Sequence, residues 1–524
     1  MSENAHPANT VSPQLPISRA VIIAVLAASL MVGGFAISTQ SYWIDEATSL
    51  IVAMSPNTAE AWKYAQAVGG STIQMPLYHI YLYAWHKVFG GGEWAMRASN
   101  LPLFVLAQLA FLVLLRGKPR LALLAALLAA VSPTVWMYLD EALPYLMQYA
   151  AACWLVAGIV RVSLPHSQPP LGHPLLLSAA LGVATTVLFG SSLLGVVWIA
   201  GFLAALLWLY ILRPKDSVSP AGAALAGKGW ILAALVGAIL ILAAYYLWTW
   251  SAAGRGYHRG GASLISLPYI AYEFLGFSGY GPGKLQLRSS IAGSLAQSLP
   301  ALLPLGILLA ALALFAVLQP GVRAIPGRIV VAWLLALALP AVVILATLFL
   351  ASYRPLPRHF IPALPAVILA LAALIDLALA QKQPAWRTIA ILLPALWLGS
   401  SLNLRLREDH AKDDYRTASR LAAAAIAENK EVWWAADAAA AYIYLTPVAL
   451  QEVPGRAWAM QAPSWDDIRF KYPPRVIVIS KPDIYDPQGA VARYAAENRF
   501  VPALQLHAFT IFAREGEELP AVTP

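Results

Sequence analysis

The chain is poor in charge. Asp, Glu, Lys and Arg make up 12% of its 524 residues, about half the roughly 25% usual in soluble domains. That scarcity excludes an ordinary water-soluble protein. Cysteine is almost absent: Cys153 stands alone, so no internal disulfide can form, and in its apolar run it reads as a small core hydrophobe. Acidic residues are outnumbered, 26 against 35 Lys and Arg, leaving a net charge of +9. No basic stripe interleaved with aromatics accompanies that excess, which argues against a nucleic-acid partner. No internal repeat is apparent. The glycine-rich "GFSGYGPG" (Gly276–Gly283) lacks the strand–turn–helix setting of a dinucleotide fingerprint.

What the chain has in quantity is apolar sequence: 60% of residues are hydrophobic and the mean hydropathy is +0.65. Runs near the bilayer-crossing length predict about eleven spans of about 20 residues each. They fall near 18–37, 96–115, 121–138, 143–161, 174–190, 192–212, 229–249, 294–318, 329–350, 359–380 and 388–402. In lipid such runs must be helices, because an open sheet leaves backbone groups unpaired. Val21–Ile37 resembles a cleaved signal peptide in composition, but the many spans after it favour a retained first span.

Charge placement predicts orientation. One set of alternate loops holds Arg116, Lys118, Arg120, Arg161, Arg213, Lys215, Arg323, Arg328, Lys382 and Arg387. Such enrichment marks the cytoplasmic side. The expected protein is multi-pass in the cell (inner) membrane, its N-terminus cytoplasmic and its C-terminal part extracytoplasmic. Three parts are expected: a disordered cytoplasmic tail (1–17), a membrane domain (18–402) and an α/β domain (403–524). The first outer loop (38–95), rich in Tyr and Trp, is expected to form interfacial helices. In the last part, strand-like runs "EVWWAAD", "RVIVIS" and "HAFTIFA" alternate with helical patterns at Thr417–Glu428 and near 438–446 and 488–498. Asp437 reads as a helix cap.

Two acidic pairs stand out on the predicted outer side. Asp45 and Glu46 lie in "SYWIDEATSL", directly after the first span. Asp140 and Glu141 follow "SPTVWMY" at the end of the third. A plain structural account makes Asp45 the N-cap, and Glu46 a first-turn residue, of a helix running to about Met54. Neighbours on a helix point about 100° apart, so one carboxylate acts while the other orients it. The two pairs are positioned to converge across the bundle. Outer cations available for an anion are Arg97, Arg255, Arg259, Lys284, Arg288, Arg354 and Arg358; Arg255 and Arg259 sit among glycines in "GRGYHRGG", which reads equally as a surface linker. Hard divalent cations suit carboxylates, but nothing demands one. His79 and His86 lie about 10.5 Å apart along a helix, too far for a shared metal.

The strings "YWIDEATS", "MPLYHIYLYAWHKVFG", "WAMRASNLP", "SPTVWMYLDEALPY" and "RHFIPALP" occur in an order that resembles the GT-C glycosyltransferases. The resemblance points to the bacterial branch related to protein O-mannosyltransferases and lipid A aminoarabinose transferases. Gln74-Met75-Pro76 stands where relatives often have His-Pro-Pro, and Leu143 where they often have arginine; both departures bear on the donor sugar. The resemblance implies a polytopic α-helical membrane fold with a small C-terminal extracytoplasmic α/β domain. It implies transfer of a sugar from a polyprenyl-phosphate donor to a protein, lipid or glycan hydroxyl, with inversion.

Under that implication Asp45 is the general base and Glu46 its orienter, with Asp140 and Glu141 as a second acidic pair. Arg358 matches the arginine of the family's late "RY" motif. Arginine's planar fork suits the departing phosphate, and Arg97, Arg255 and Arg259 are further donor-binding candidates. Tyr78, Tyr145 and His359 are expected to contact donor or acceptor. No cofactor is required and no metal ligand is assigned, a divalent metal at the acidic pairs staying open; phosphate leaves as a good anion, so the acid a glycosidase needs is not called for. A transporter or flippase for an amphiphilic anion is the main rival reading. Such proteins place their charges near the bilayer midplane, whereas these cluster at one face. A non-catalytic assembly protein is the third.

Overall fold

The computed structural model describes residues 17–163, 174–212, 229–253, 264–446, 448–449, 459–461 and 473–521. Each apolar stretch anticipated above is largely helical where it is described. Among the described residues seven helices are long and apolar enough to cross a membrane: Arg19–Ala36, Glu93–Leu114, Tyr145–Ser163, Ile291–Leu318, Gly327–Leu350, Pro357–Leu379 and Pro384–Leu406. An eighth candidate is a broken pair, Pro119–Val131 and Pro133–Leu139, bent by 58°. Ser132 makes the break: extended itself, it caps the second helix by accepting from the Val135 N–H, and Pro133 takes the first position, where no N–H is needed. Leu177–Ser191, Gly195–Ile211 and Val236–Trp250 are shorter apolar helices. The chain is a multi-pass membrane protein.

The helices sort by burial. Glu93–Leu114 and Tyr145–Ser163 are 67% and 72% buried, forming the centre. Ile291–Leu318 and Gly327–Leu350 are 22% buried and turn Ile307, Val317 and Leu350 outward. Such apolar faces are stable against lipid, where a water-soluble protein would have to cover them.

Between the first two spans the chain folds into helices Ile44–Ala53, Thr58–Val68, Gly70–Ile73 and Pro76–Phe89. The acidic helix begins differently from the expectation. Its N-cap is Trp43, whose extended backbone starts the helix at Ile44 and puts both Asp45 and Glu46 in the first turn. There the unpaired N–H groups favour negative charge. Glu46 reaches back to accept from the Trp43 N–H at 3.4 Å.

The described residues of the C-terminal part form a six-stranded mixed sheet with strands β1 (Val432–Ala435), β2 (Val448–Ala449), β3 (Ala459–Gln461), β4 (Val476–Ser480), β5 (Phe500–Leu506) and β6 (Phe509–Arg514). Their spatial order is β2-β3-β1-β4-β6-β5. β1 to β4 run parallel, and β6 and β5 are added antiparallel. Asp437 does cap the next helix, Ala438–Ile443, accepting from the Ala440 N–H at 2.8 Å. β5 has no clear apolar alternation and carries Pro502, as an edge strand can. Ala47, on the acidic helix, is fully buried inside this domain's core with Val432, Trp434 and Ala440. The sheet domain is therefore packed directly on the helix that bears Asp45.

Candidate functional site

Glu46 and Arg97 are both fully buried and form a bidentate pair: Arg97 Nε and Nη2 donate to the two carboxylate oxygens at 2.8 Å each. The remaining guanidinium hydrogens go to the backbone carbonyls of Ser38, Gln40 and Ser41 at 3.1, 2.6 and 3.1 Å. Glu46 also accepts from the Ala142 N–H at 2.9 Å. Lys412 approaches Glu46 at 3.3 Å and the Asp140 carboxylate at 3.5 Å, and donates to the Asp140 carbonyl. Asp140 in turn accepts from the Ser38 N–H at 2.5 Å and its hydroxyl at 2.9 Å. Burial alone would raise the Glu46 pKa. The charges of Arg97 and Lys412 and the hydrogen bonds outweigh it and lower it to about 2.

This knot draws together chain segments near residues 40, 97, 140 and 412, so the two acidic pairs do converge. Arg97 was expected to meet a donor phosphate. Its guanidinium is instead enclosed by protein and occupied with holding the knot.

Asp45 behaves differently from its neighbour. Its carboxylate pairs with Arg358 Nη1 at 2.5 Å across 313 residues of sequence, and the two side chains remain 35% and 34% exposed. Tyr145 lies beside Arg358 and packs edge-on against Tyr138 at 5.0 Å. His359 turns its ring inward, where Nδ1 accepts from the Leu356 N–H at 3.2 Å and fixes the turn that carries Arg358. Tyr78 is fully buried, and its hydroxyl has no hydrogen-bond partner among the described residues. Arg255 and Arg259 lie outside the described residues.

A cavity of about 170 Å³ lies where the helical bundle meets the sheet domain, lined among others by Trp43, Asp140, Glu141, Glu273, Lys284 and Lys412. Asp45 and Arg358 are not in its lining. Lys284 sits 3.6 Å from Glu141 and 4.7 Å over the Trp43 ring, a cation–π contact. Burial raises the pKa of Glu141, which Lys284 and Lys412 only partly offset. Burial pushes Glu273 up to about 7, against the hydroxyl of Tyr138, which donates to it at 2.9 Å. Among the described residues no three His, Cys, Asp or Glu side chains gather in a metal-holding cluster.

Two residues at this site escaped the sequence reading. Lys412 belongs to the densely charged run "NLRLREDHAKDDYR" that follows the last span; a cation so soon after that span was the available signal. Glu273 is a lone acid amid aromatics in "LPYIAYEFLGF", and no spacing rule points to it.

No family model matches the chain, and no curated protein matches it in sequence. Its fold does match solved structures. The apo crystal structure of ArnT from Cupriavidus metallidurans aligns with a TM-score of 0.55 at 13% identity, over 94% of this chain and 98% of that one. The structure of the same protein bound to undecaprenyl phosphate aligns with a TM-score of 0.53 at 12% identity, over 95% and 99%. This chain shares the ArnT fold over nearly its whole length.

Proposed function

We propose that the chain is a membrane glycosyltransferase that moves a sugar from a polyprenyl-phosphate donor to a hydroxyl acceptor at the outer face of the membrane. The observation that carries this reading is the Asp45–Arg358 pair: a half-exposed carboxylate and guanidinium, brought together across 313 residues of sequence. The similarity of fold to ArnT, a protein seen with undecaprenyl phosphate bound, supports the donor class.

The chemistry follows from the pair. The acceptor oxygen attacks the anomeric carbon and gives its proton to the Asp45 carboxylate. The bond from that carbon to the phosphate oxygen breaks, and the phosphate departs with the electron pair toward Arg358. Attack from the face opposite the leaving group inverts the anomeric centre. Before donor binds, Asp45 holds the Arg358 fork ready; the phosphate then competes for it, releasing the carboxylate toward the acceptor. Glu46, held ionised by Arg97 and Lys412, anchors the helix turn that presents Asp45. The bent pair of helices and the half-buried Asp140 fix the second side of the knot.

The test is release of polyprenyl phosphate by the purified protein supplied with sugar-loaded polyprenyl phosphate and an envelope extract as acceptor source. Asp45→Asn should lower turnover by about 10²–10⁴-fold while the protein still folds and binds donor. Turnover close to wild type would remove Asp45 from the mechanism. The proposed steps need no cofactor, so a chelator should leave the rate unchanged; a loss restored by added Mg²⁺ or Mn²⁺ would contradict that.

A further inference from the structure

The C-terminal sheet has a feature that the transfer reaction above does not use. Its two central strands, β1 and β4, are parallel neighbours, but the chain leaves them in opposite directions. From β1 it passes to β2 and β3 on one side, and from β4 to β5 and β6 on the other. In open α/β sheets such a divergence leaves a crevice at the carboxyl ends of the two strands, where ligands bind. Here those ends carry Asp437 after β1 and Lys481 after β4.

Three observations place this crevice on the site. Lys481 and Asp413 both line the cavity that also holds Asp140, Glu141 and Lys412. Asp437 is raised in pKa by burial first, and in part by the charge of Asp45, so the end of β1 faces the acidic helix. Lys481 has a left-handed backbone, φ 43° and ψ 71°, a conformation that costs a non-glycine residue about 1 kcal/mol or more and gathers at functional sites. That backbone aims its ammonium at the Asp413 carboxylate, an ion pair buried between the sheet domain and the spans. Burying such a pair is expensive and adds little stability in itself.

The charges indicate what fits. The lining has five Lys or Arg and four Asp or Glu. Lys481 is matched by Asp413, Lys412 by Asp140 and Glu46, Lys284 by Glu141, and Arg288 by Asp483. With four of the five cations committed to carboxylates and Arg405 donating to the Phe35 carbonyl at 3.2 Å, the lining leaves an anion few free cations. It does offer paired donors and acceptors beside aromatic walls, Trp43, Trp136, Tyr269 and Tyr272, a combination suited to the hydroxyls and C–H faces of a sugar.

We propose that the crevice at the carboxyl ends of β1 and β4 is an acceptor subsite for a neutral, hydroxyl-rich carbohydrate, with Lys481 donating to and Asp413 accepting from its hydroxyls. This rests on the glycosyl-transfer reading and narrows its acceptor to a glycan. The cavity volume exceeds by about tenfold the roughly 10–15 Å³ that one water needs, room enough for a sugar ring.

The test uses the full chain in nanodiscs with two probes: a panel of neutral tri- and tetrasaccharides, and vesicles containing phosphatidylglycerol. Wild type should bind members of the neutral panel. The double variant Lys481→Met/Asp413→Leu, which leaves no lone buried charge, should bind them at least about tenfold more weakly with its melting temperature little changed. A second measurement needs no variant: the same saccharides should slow amide exchange over Ser480–Asp486 in wild type. No saccharide binding, binding unaltered in the folded double variant, unchanged exchange over that segment, or preference for the anionic vesicles would each overturn the subsite. The two readings fail separately. Saccharide binding that depends on Lys481 with full turnover in Asp45→Asn would sink the catalytic reading alone; a dead Asp45→Asn without saccharide binding would sink the subsite alone.

Discussion

Glu46 and Glu273 are both buried carboxylates, and their surroundings push them in opposite directions. Glu46 has two cations and a backbone N–H to support its charge; Glu273 has mainly a tyrosine hydroxyl. The consequences for stability have opposite signs. Glu46 titrates near 2 when folded and near 4.5 otherwise, so its stabilising contribution is complete above about 4.5 and is lost as pH falls toward 2. Glu273, at about 7 when folded against 4.5, keeps a proton the unfolded chain releases. Stability should therefore fall as pH rises from about 4.5 to about 7. Melting temperatures in detergent across that range should decline for wild type and flatten in Glu273→Gln. An identical decline in both would show that Glu273 is ionised throughout. Asp45, one residue from Glu46, escapes the knot because it points elsewhere on the same helix, and its ion-pair partner among the described residues is the half-buried Arg358. Adjacency in sequence here separates a structural carboxylate from the proposed base.

At the level of elements, the glycine-rich segment Gly276–Gly283 shows how tightly the site's wall is fitted. A Cβ on Gly279 would stand 1.8 Å from the Ser400 carbonyl oxygen, a backbone atom unable to move aside cheaply. The Gly279 N–H already bonds to the Ser400 hydroxyl at 3.0 Å, so the segment is clamped to the last span. Gly279→Ala should cost about 1–3 kcal/mol, read as a lowered melting temperature; an unchanged value would mean the segment can shift freely. The same string had served in the sequence only to exclude a dinucleotide site, because its role depends on residues 120 positions away. Long apolar runs were legible because a 20-residue span announces itself by composition alone. The helix start at Ile44 was not, since Trp43 caps by backbone conformation and carries no capping side chain. Asp437 was legible as a cap because its side chain performs that task by itself. The convergence of the acidic pairs could be anticipated from their shared membrane side, but the agents that join them, Arg97 and Lys412, lie 51 and 366 residues from Glu46.

Over the whole molecule, the burial of Ala47 in the sheet domain's core makes that domain part of the site. Removing residues 403–524 would expose the acidic helix and withdraw Lys412 from Glu46 and Asp140. Such a truncation should abolish transfer even where the spans still insert. Orientation has its own test. Cys153 is buried, so labelling of added cysteines has a low background. In intact cells an impermeant maleimide should label Glu497→Cys in the sheet domain and spare Lys382→Cys in a basic loop; the reverse pattern would place the site inside the cell. The measurement closest to the central claim compares envelope glycans and lipids, by mass, in cells with the chain, without it, and with Asp45→Asn. The account predicts a sugar increment on an envelope component that vanishes with the chain and returns with wild type but not with the variant. Identical profiles in all three, or full restoration by Asp45→Asn, would contradict it.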